Sequence, residues 1–280
     1  MKTIAETFDV SRSNLIERVE RKRLTVRNYS KAEDELLLPL IRELVGKRPT
    51  YGYRRITALL NRQFRNACQP TVNHKRIYRI MRSAGLLLQK CTGQRIDRAH
   101  DGNVITLRSN TRWCSDGFEI HCWNREVVRV AFALDTCDRE VITWSASTKG
   151  VSGEMIRDMM LIAVEQRFNS YRAPQLVEWL SDNGSCYTAI ETIKFAQQVG
   201  LTPRFTPVRS PESNGMSESF VKTFKRDYVR CNPCPDAATV LRQLDIWFED
   251  YNDSHPHRGL QMLSPREFIQ SQSSLAACPA

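Results

Sequence analysis

Three acidic residues stand out in this 280-residue chain by the company they keep. Asp116 falls within the strand-like stretch Ser115–Cys122, just after Trp113-Cys114. Asp182 ends another strand-like run, directly before Asn183-Gly184, and strand ends at a sheet edge commonly host ligand sites. Glu218 lies in the first turns of a helical segment. Thirty-five residues intervene between Asp182 and Glu218, and Lys225 follows seven after the glutamate. Carboxylate oxygens are hard donors of the kind magnesium takes. Each residue also has an ordinary explanation. Asp182 before Asn-Gly starts a turn, and Glu218 complements a helix dipole or pairs with Lys222. Asp135 and Asp138, at the end of a further strand, read as turn formers.

A second constellation is cationic. After Asn73, a good helix N-cap, a helix is expected to run to Ser83 before Gly85. On it Lys75, Arg79 and Arg82 recur at i, i+4 and i+7 and share one face, while Ile77, Ile80 and Met81 fall on the other. A helix with a dry back and a triply basic front is what docking into a DNA groove requires. The charge distribution agrees: residues 1–112 hold 24 Lys and Arg against 10 Asp and Glu, whereas residues 113–280 hold 17 against 21. A basic front joined to a mildly acidic back points to a nucleic-acid-binding region attached to something else.

Cys231 and Cys234 have the two-residue gap of a zinc knuckle, with His255 and His257 downstream but no second cysteine pair at ribbon spacing. The nine cysteines are otherwise read as reduced thiols buried as small hydrophobes. No run of eighteen apolar residues occurs, and the opening MKTIAETFDV carries charges where a signal peptide needs an apolar stretch. The expectation is a globular, cytoplasmic protein without a membrane segment.

The elements that would position these residues follow from periodicity. Thr3 to Arg23 reads as a short helical segment. Ser30-Lys31-Ala32-Glu33 has the capping-box pattern, opening a helix through Leu37, Leu38, Ile41 and Val45, kinked at Pro39 and ended by Gly46 and Pro49. A helix from about Arg54 to Gln63 precedes the basic one. Residues 88–111 lack apolar periodicity and read as a linker. Strands are then expected over Ser115–Cys122, Val127–Leu134 and Glu140–Ala146. Next come a helix Gly153–Phe168, a strand Val177–Leu180, a helix Ala189–Val199, a short strand near Phe205, a Pro- and Ser-rich loop, and a helix Asn214–Val229. Such an order indicates an α/β class with a mixed sheet covered by helices. On the last helix Glu218, Lys222 and Lys225 share one face beside an apolar face of Phe220, Val221, Phe224 and Tyr228.

Taken together, Trp113-Cys114-Ser115-Asp116, Ser181-Asp182-Asn183-Gly184-Ser185 and Ser210-Pro211-Glu212-Ser213-Asn214-Gly215 with Glu218 resemble the three signature blocks of the DDE transposases and retroviral integrases. Over nearly the whole chain the sequence is similar to the B-frame (OrfB) transposases of copy-out, paste-in bacterial insertion sequences. Tyr51-Gly52-Tyr53-Arg54-Arg55 and Asn73 through Met81 resemble that family's helix-turn-helix blocks. Tyr251-Asn252 through His257, Leu260 and Ser264-Pro265-Arg266-Glu267-Phe268 resemble its C-terminal block. Gly117-Phe118 departs from the Thr-Ile or Ile-Thr pair found in many members.

The resemblance implies an RNase H-like catalytic core with a mixed sheet, preceded by an all-α helix-turn-helix DNA-binding region. The boundaries expected are a partial helix-turn-helix segment at 1–28, a DNA-binding domain at 29–90, a linker at 91–110, the core at 111–235 and a helical tail at 236–280. It implies that Asp116, Asp182 and Glu218 are catalytic and bind two Mg²⁺ ions per site, with Mn²⁺ as a substitute. Arg54, Arg55, Lys75, Arg79, Arg82, Lys222 and Lys225 would meet DNA. The reaction implied is nicking at transposon ends and transfer of a 3′-hydroxyl to a new phosphodiester. Expected partners are double-stranded DNA (transposon ends and target), the A-frame product of the same element (fused or in trans) and further copies of the chain on DNA, in a bacterial, nucleoid-associated setting. A catalytically inactive DNA-binding regulator and a structure-selective nuclease are the alternative readings.

Overall fold

The computed structural model describes Thr7, Ser11 and residues 33–89, 106–206 and 215–276. The expected N-terminal segment, the capping box at Ser30, most of the expected linker and the Pro- and Ser-rich loop at 207–214 lie outside the described residues. Two units are distinguished, Met1–Leu40 and Ile41–Ala280. Helix α1 (Asp34–Lys47) begins in the first and ends in the second, running through Pro39 and one residue past Gly46.

Within the second unit, α2 (Tyr53–Asn66) buries Ile56, Thr57 and Leu60. Helix α3 (His74–Ser83) buries Ile77, Ile80 and Met81, as its periodicity requires, and the Asn73 side chain caps it by accepting the Lys75 amide at 2.8 Å. Gly85 follows at φ +69°, the left-handed conformation that ends helices and that glycine adopts without strain.

The sheet holds five strands: β1 (Arg112–His121), β2 (Val127–Asp135), β3 (Val141–Ser147), β4 (Val177–Ser181) and β5 (Leu201–Phe205). Their order is β3-β2-β1-β4-β5, antiparallel from β3 to β1 and parallel from β1 to β5. Helices α4 (Gly153–Phe168), α5 (Ser185–Thr188) and α6 (Ile190–Gln198) lie between β3 and β5 in sequence; α7 (Gly215–Asp227), α8 (Ala237–Ser254) and α9 (Pro265–Ala276) follow. The outcome is the expected mixed sheet with helices on both faces. No helix among the described residues is long and apolar enough to cross a membrane.

Alternation along β1 sends side chains to two cores. Trp113 joins Ile156, Met160 and Trp179 on the α4 face, whereas Cys114, Phe118 and Ile120 join α7 and α8 on the other. The second core is an aromatic stack. Phe220 of α7 lies 4.4 Å from Phe132, and Phe224 lies 5.5 Å from Phe118 and 4.6 Å from Phe248 of α8, ring centre to ring centre. The helices expected as a tail are therefore built into the core: Val240, Leu244, Trp247, Phe248 and Tyr251 of α8 roof α7.

The front helices are fastened to this core by polar contacts across some two hundred residues of chain. Arg48 pairs with Asp250, Arg55 donates to Asp227 at 2.9 Å, and Arg62 donates to Glu267 and to the Ser254 carbonyl. Tyr51 shares a 2.8 Å hydrogen bond with His255 Nδ1.

Phe224 is fully buried at the centre of the stack. Phe224→Ala is expected to cost about 3–5 kcal/mol, read by chemical denaturation. A loss below about 1 kcal/mol would mean that α7 is held in place by something other than this stack.

Candidate active site

Asp116 and Asp182 are brought together by strand register. β1 and β4 pair in parallel as Arg112 with Glu178, Trp113 with Trp179 and Cys114 with Leu180, a constant offset of 66 residues. Two residues beyond the last pair, at the same offset, stand Asp116 within β1 and Asp182 one residue past the end of β4. Asp116 lies on the α7 face of β1, with Cys114 and Phe118 either side of it. Glu218 enters from the first turn of α7, the helix that packs on that face.

The neighbours of each carboxylate are clamped. The Cys114 thiol is hydrogen-bonded to Ser217, a fully buried residue next to Glu218, and burial pushes that thiol up to about 12. Ser115 shares a 2.9 Å hydrogen bond with the buried Tyr187 hydroxyl, tying β1 to the short helix that follows Asp182. The Asn183 amide donates to the Thr206 carbonyl at 2.9 Å. Residues bordering each carboxylate thus fix the backbone while the carboxylates point elsewhere.

Burial pushes the Asp116 carboxyl up to about 6, against the Gly117 N–H that it accepts, and the like charges of Asp182 and Glu218 push the same way. Asp182 Oδ1 accepts the Gly184 N–H at 3.0 Å, and a Cβ on Gly184 would meet that oxygen at 3.0 Å, so glycine permits this close turn. One oxygen of each aspartate, Oδ2, has no hydrogen-bond partner among the described residues. Glu218 is half exposed, with Lys222 Nζ at a loose 3.9 Å. Three carboxylates with uncommitted oxygens suit a hard divalent cation. Among the described residues, however, no three His, Cys, Asp or Glu side chains close round one point as ligands would. The three are within electrostatic reach of Asp116 and are not drawn into a closed ligand set.

The cationic residues divide into two groups. Lys75 and Arg82 are exposed on α3, opposite its buried face, and Arg79 is partly buried and carries an interaction of its own. Arg54 lies exposed over the Tyr53 ring, and Tyr53 packs against His74 and Tyr78. Lys222 is exposed on α7, and Lys225 sits with Nζ 5.7 Å from the Phe118 ring centre. Arg55 is placed differently: it turns inward to Asp227 and stacks over Tyr51. Sequence spacing carried no signal of that pairing, because Asp227 is 172 residues away.

Asp135 and Asp138 are structural, as turn chemistry suggested. Asp135 accepts the Asn110 and Cys137 amides and the Trp113 ring N–H, and Asp138 accepts both terminal nitrogens of Arg167. Cys231 is exposed and Cys234 buried, each with its sulfur near a local backbone carbonyl.

Residues 107–211 and 199–265 match the Integrase core domain family, and residues 31–95 match the HTH-like domain family. The chain is 51% identical over 242 residues to the transposase InsD for insertion element IS2A/D/F/H/I/K of Escherichia coli, covering 86% of this chain and 80% of that protein. The InsD transposase for IS2-9 of E. coli K12 is also 51% identical over 242 residues, covering 86% and 79%. Among solved structures, a chain of the simian T-cell lymphotropic virus intasome aligns with a TM-score of 0.48 at 15% identity, covering 81% of this chain and 73% of that one. The Mos1 transposase catalytic domain aligns with a TM-score of 0.44 at 16% identity, covering 61% and 86%. With half its residues shared with InsD along most of its length, and with an integrase core behind an HTH-like domain, this chain belongs to the insertion-element transposases.

Proposed function

We propose that the chain cuts and rejoins DNA at the ends of its element, with Asp116, Asp182 and Glu218 as the catalytic carboxylates. The observation that supports this most is that Asp116 in β1 feels the charges of Asp182, just past the end of the neighbouring β4, and of Glu218 in the first turn of α7. The integrase-core fold implies a divalent metal, and the three carboxylates are the residues that would hold two Mg²⁺ or Mn²⁺ ions. When bound, such ions activate the attacking oxygen and neutralise charge on the leaving one. In nicking, a water oxygen forms a bond to phosphorus as the 3′-oxygen of the strand leaves. In strand transfer the freed 3′-hydroxyl oxygen attacks a target phosphodiester, whose own 3′-oxygen departs, so one phosphodiester replaces another.

The chain's own groups supply position and charge. Lys222 and Lys225, on the helix that carries Glu218, are suited to the phosphates flanking the reacting one. The region 29–90 serves as the DNA-binding module ahead of a core at 111–235, with Lys75, Arg79, Arg82 and Arg54 towards DNA. Arg55 supports the module by holding it to α7. Action as a fusion with the A-frame product, and as more than one copy on DNA, is part of the same reading.

In strand transfer of a labelled transposon end, assayed with the A-frame fusion, Glu218→Gln is expected to lower nicking and joining by several orders of magnitude while DNA binding persists. Asp116→Asn and Asp182→Asn should behave alike, and combining them should cost little more, because the three act as one unit. Wild-type rates from Glu218→Gln would remove the third residue from the assignment. A wild type that binds ends yet neither nicks nor joins them would favour a regulator.

Lys75→Ala combined with Arg82→Ala should weaken duplex binding and flatten its salt dependence by roughly two phosphate contacts, at about −0.9 each in log K against log salt. Melting temperature should be nearly unchanged. Unfolding of that variant would mean that this face of α3 is an internal one.

The raised Asp116 carboxyl gives a pH signature in cation-free buffer. Between about pH 4, where an unfolded aspartate ionises, and about pH 6, the folded chain holds a proton that the unfolded chain has lost. Stability drawn from that proton is full below this window and lost as pH rises through it. Asp116→Asn should therefore be more stable than wild type at pH 7 by about 1–2 kcal/mol after solvent screening, with the gain vanishing near pH 4. Equal differences at both pH values would show that folding does not raise the Asp116 carboxyl.

A further inference from the structure

Beside α7, on the face next to the one that carries Glu218, lies a cavity of about 210 Å³ that the carboxylate chemistry does not use. It is lined by cations from three parts of the chain: Arg55 on α2, Arg139 in the β2–β3 turn, and Arg258 after α8. His255 and His257 line it too, with the Ser219 and Thr223 hydroxyls of α7. No carboxylate is among the lining residues. Asp227, the acid in contact with this group, is bound to Arg55 and Arg226 and stands 3.9 Å from His255 Nδ1.

The donors here are buried without acceptors. Nε2 of His255, Nε2 of His257 and Nε of Arg139 are all buried with no hydrogen-bond partner. Buried polar groups are ordinarily paired, so three orphans round one cavity call for an acceptor that the described residues do not supply. Where the Tyr51 hydroxyl donates to Nδ1 of His255, the ring proton sits on Nε2, in a ring that lines the cavity. The imidazoles are 4.7 Å apart, and burial holds both below the ordinary histidine range, His257 at about 3, so both rings are neutral beside the arginines.

Among the described residues Arg139 is paired with no acid; its side chain donates to the Met216 sulfur at 2.7 Å. Its backbone lies at φ +66°, unusual for a non-glycine residue and costly to hold. Gly259 permits its approach, since a Cβ there would stand 3.4 Å from the Arg139 guanidinium. Forked guanidiniums, ring N–H groups and hydroxyls together are the donor set for a tetrahedral oxyanion. Pockets for drug-sized ligands run to about 300–1,000 Å³; this one is sized for a single anionic group.

We propose that this cavity binds one phosphate group, gripped by Arg139, Arg258, His257 and Thr223. Two sources share that chemistry: a backbone phosphate of the DNA strand passing α7, or free phosphate. The strand is favoured because the cavity and Glu218 are served by the same helix. The site stands whether or not the three carboxylates perform the chemistry, and binding can be read without turnover.

The test uses the full chain and inorganic phosphate, followed by ³¹P line broadening and by thermal shift against sodium chloride of equal ionic strength. Saturable binding is expected, weakened about tenfold or more by Arg258→Gln. Thr223→Val, a near-isosteric change on α7, should weaken it less. Duplex DNA should displace the bound phosphate, and Arg258→Gln should weaken duplex binding. Absence of saturable binding, or equal binding by wild type, Arg258→Gln and Thr223→Val, would overturn the site. Saturable phosphate that duplex DNA fails to displace would overturn the strand as the source and assign the cavity to free phosphate.

Discussion

Helix α7 must sit on the sheet in one rotation only, and an aromatic stack enforces it. Phe220 and Phe224 lie between Phe118 and Phe132 of the sheet and Phe248 and Tyr251 of α8. Rings of this size bury large areas and prefer tilted or edge-on contacts, so a rotation of the helix would cost packing at several rings together. With the apolar face pinned, Glu218 and Lys222 have one direction left to them. Asp116 is raised mainly by burial, and the like charges of Asp182 and Glu218 add to it. That repulsion is offset by apolar packing behind them and by the Cys114–Ser217 and Ser115–Tyr187 bonds beside them.

A second constraint joins the basic front to this core. Arg48, Arg55 and Arg62 are spent on Asp250, Asp227 and Glu267. The surplus of cations in residues 1–112 therefore overstates what faces solvent, because part of it is neutralised internally by the acidic back of the chain. Some of that back-half acidity exists to receive these arginines. The same pairing makes α2, with Arg48 just before it, a bracket fixed to α7, α8 and α9, and α3 packs beside it with Lys75 and Arg82 exposed.

Much of this was legible in the sequence where the signal is local. The buried face of α3, its Asn73 cap, the bounds of α4 and the apolar run of β2 follow from patterns within a dozen or so residues. Asp116, Asp182 and Glu218 were singled out through their motif neighbours, and the offset of the β1–β4 pairing carries from Asp116 to Asp182. What spacing could not supply were pairings between distant residues. Arg55 carries the same charge as Arg54 and stands next to it, yet one stacks outside and the other is drawn to Asp227. Nor could composition show that α8 roofs the core instead of trailing from it, since its apolar face reads the same in either case. The buried pair His255 and His257 attracted notice only as possible zinc ligands; the sequence does not reveal that their ring nitrogens lack partners.

The ties between front and back also fix an order of events during synthesis. Arg48 reaches a partner 202 residues later, Tyr51 one 204 later and Arg62 one 205 later. Chains emerge from the ribosome amino end first, and closing so long a loop costs little more than closing one of half the length once the middle has folded. The basic helices are therefore among the first elements made and the last to be locked down. A chain cut short before Asp250 would keep the Arg55–Asp227 pair but lack the acceptors of Arg48, Tyr51 and Arg62, so α2 would hang on one of its ties alone.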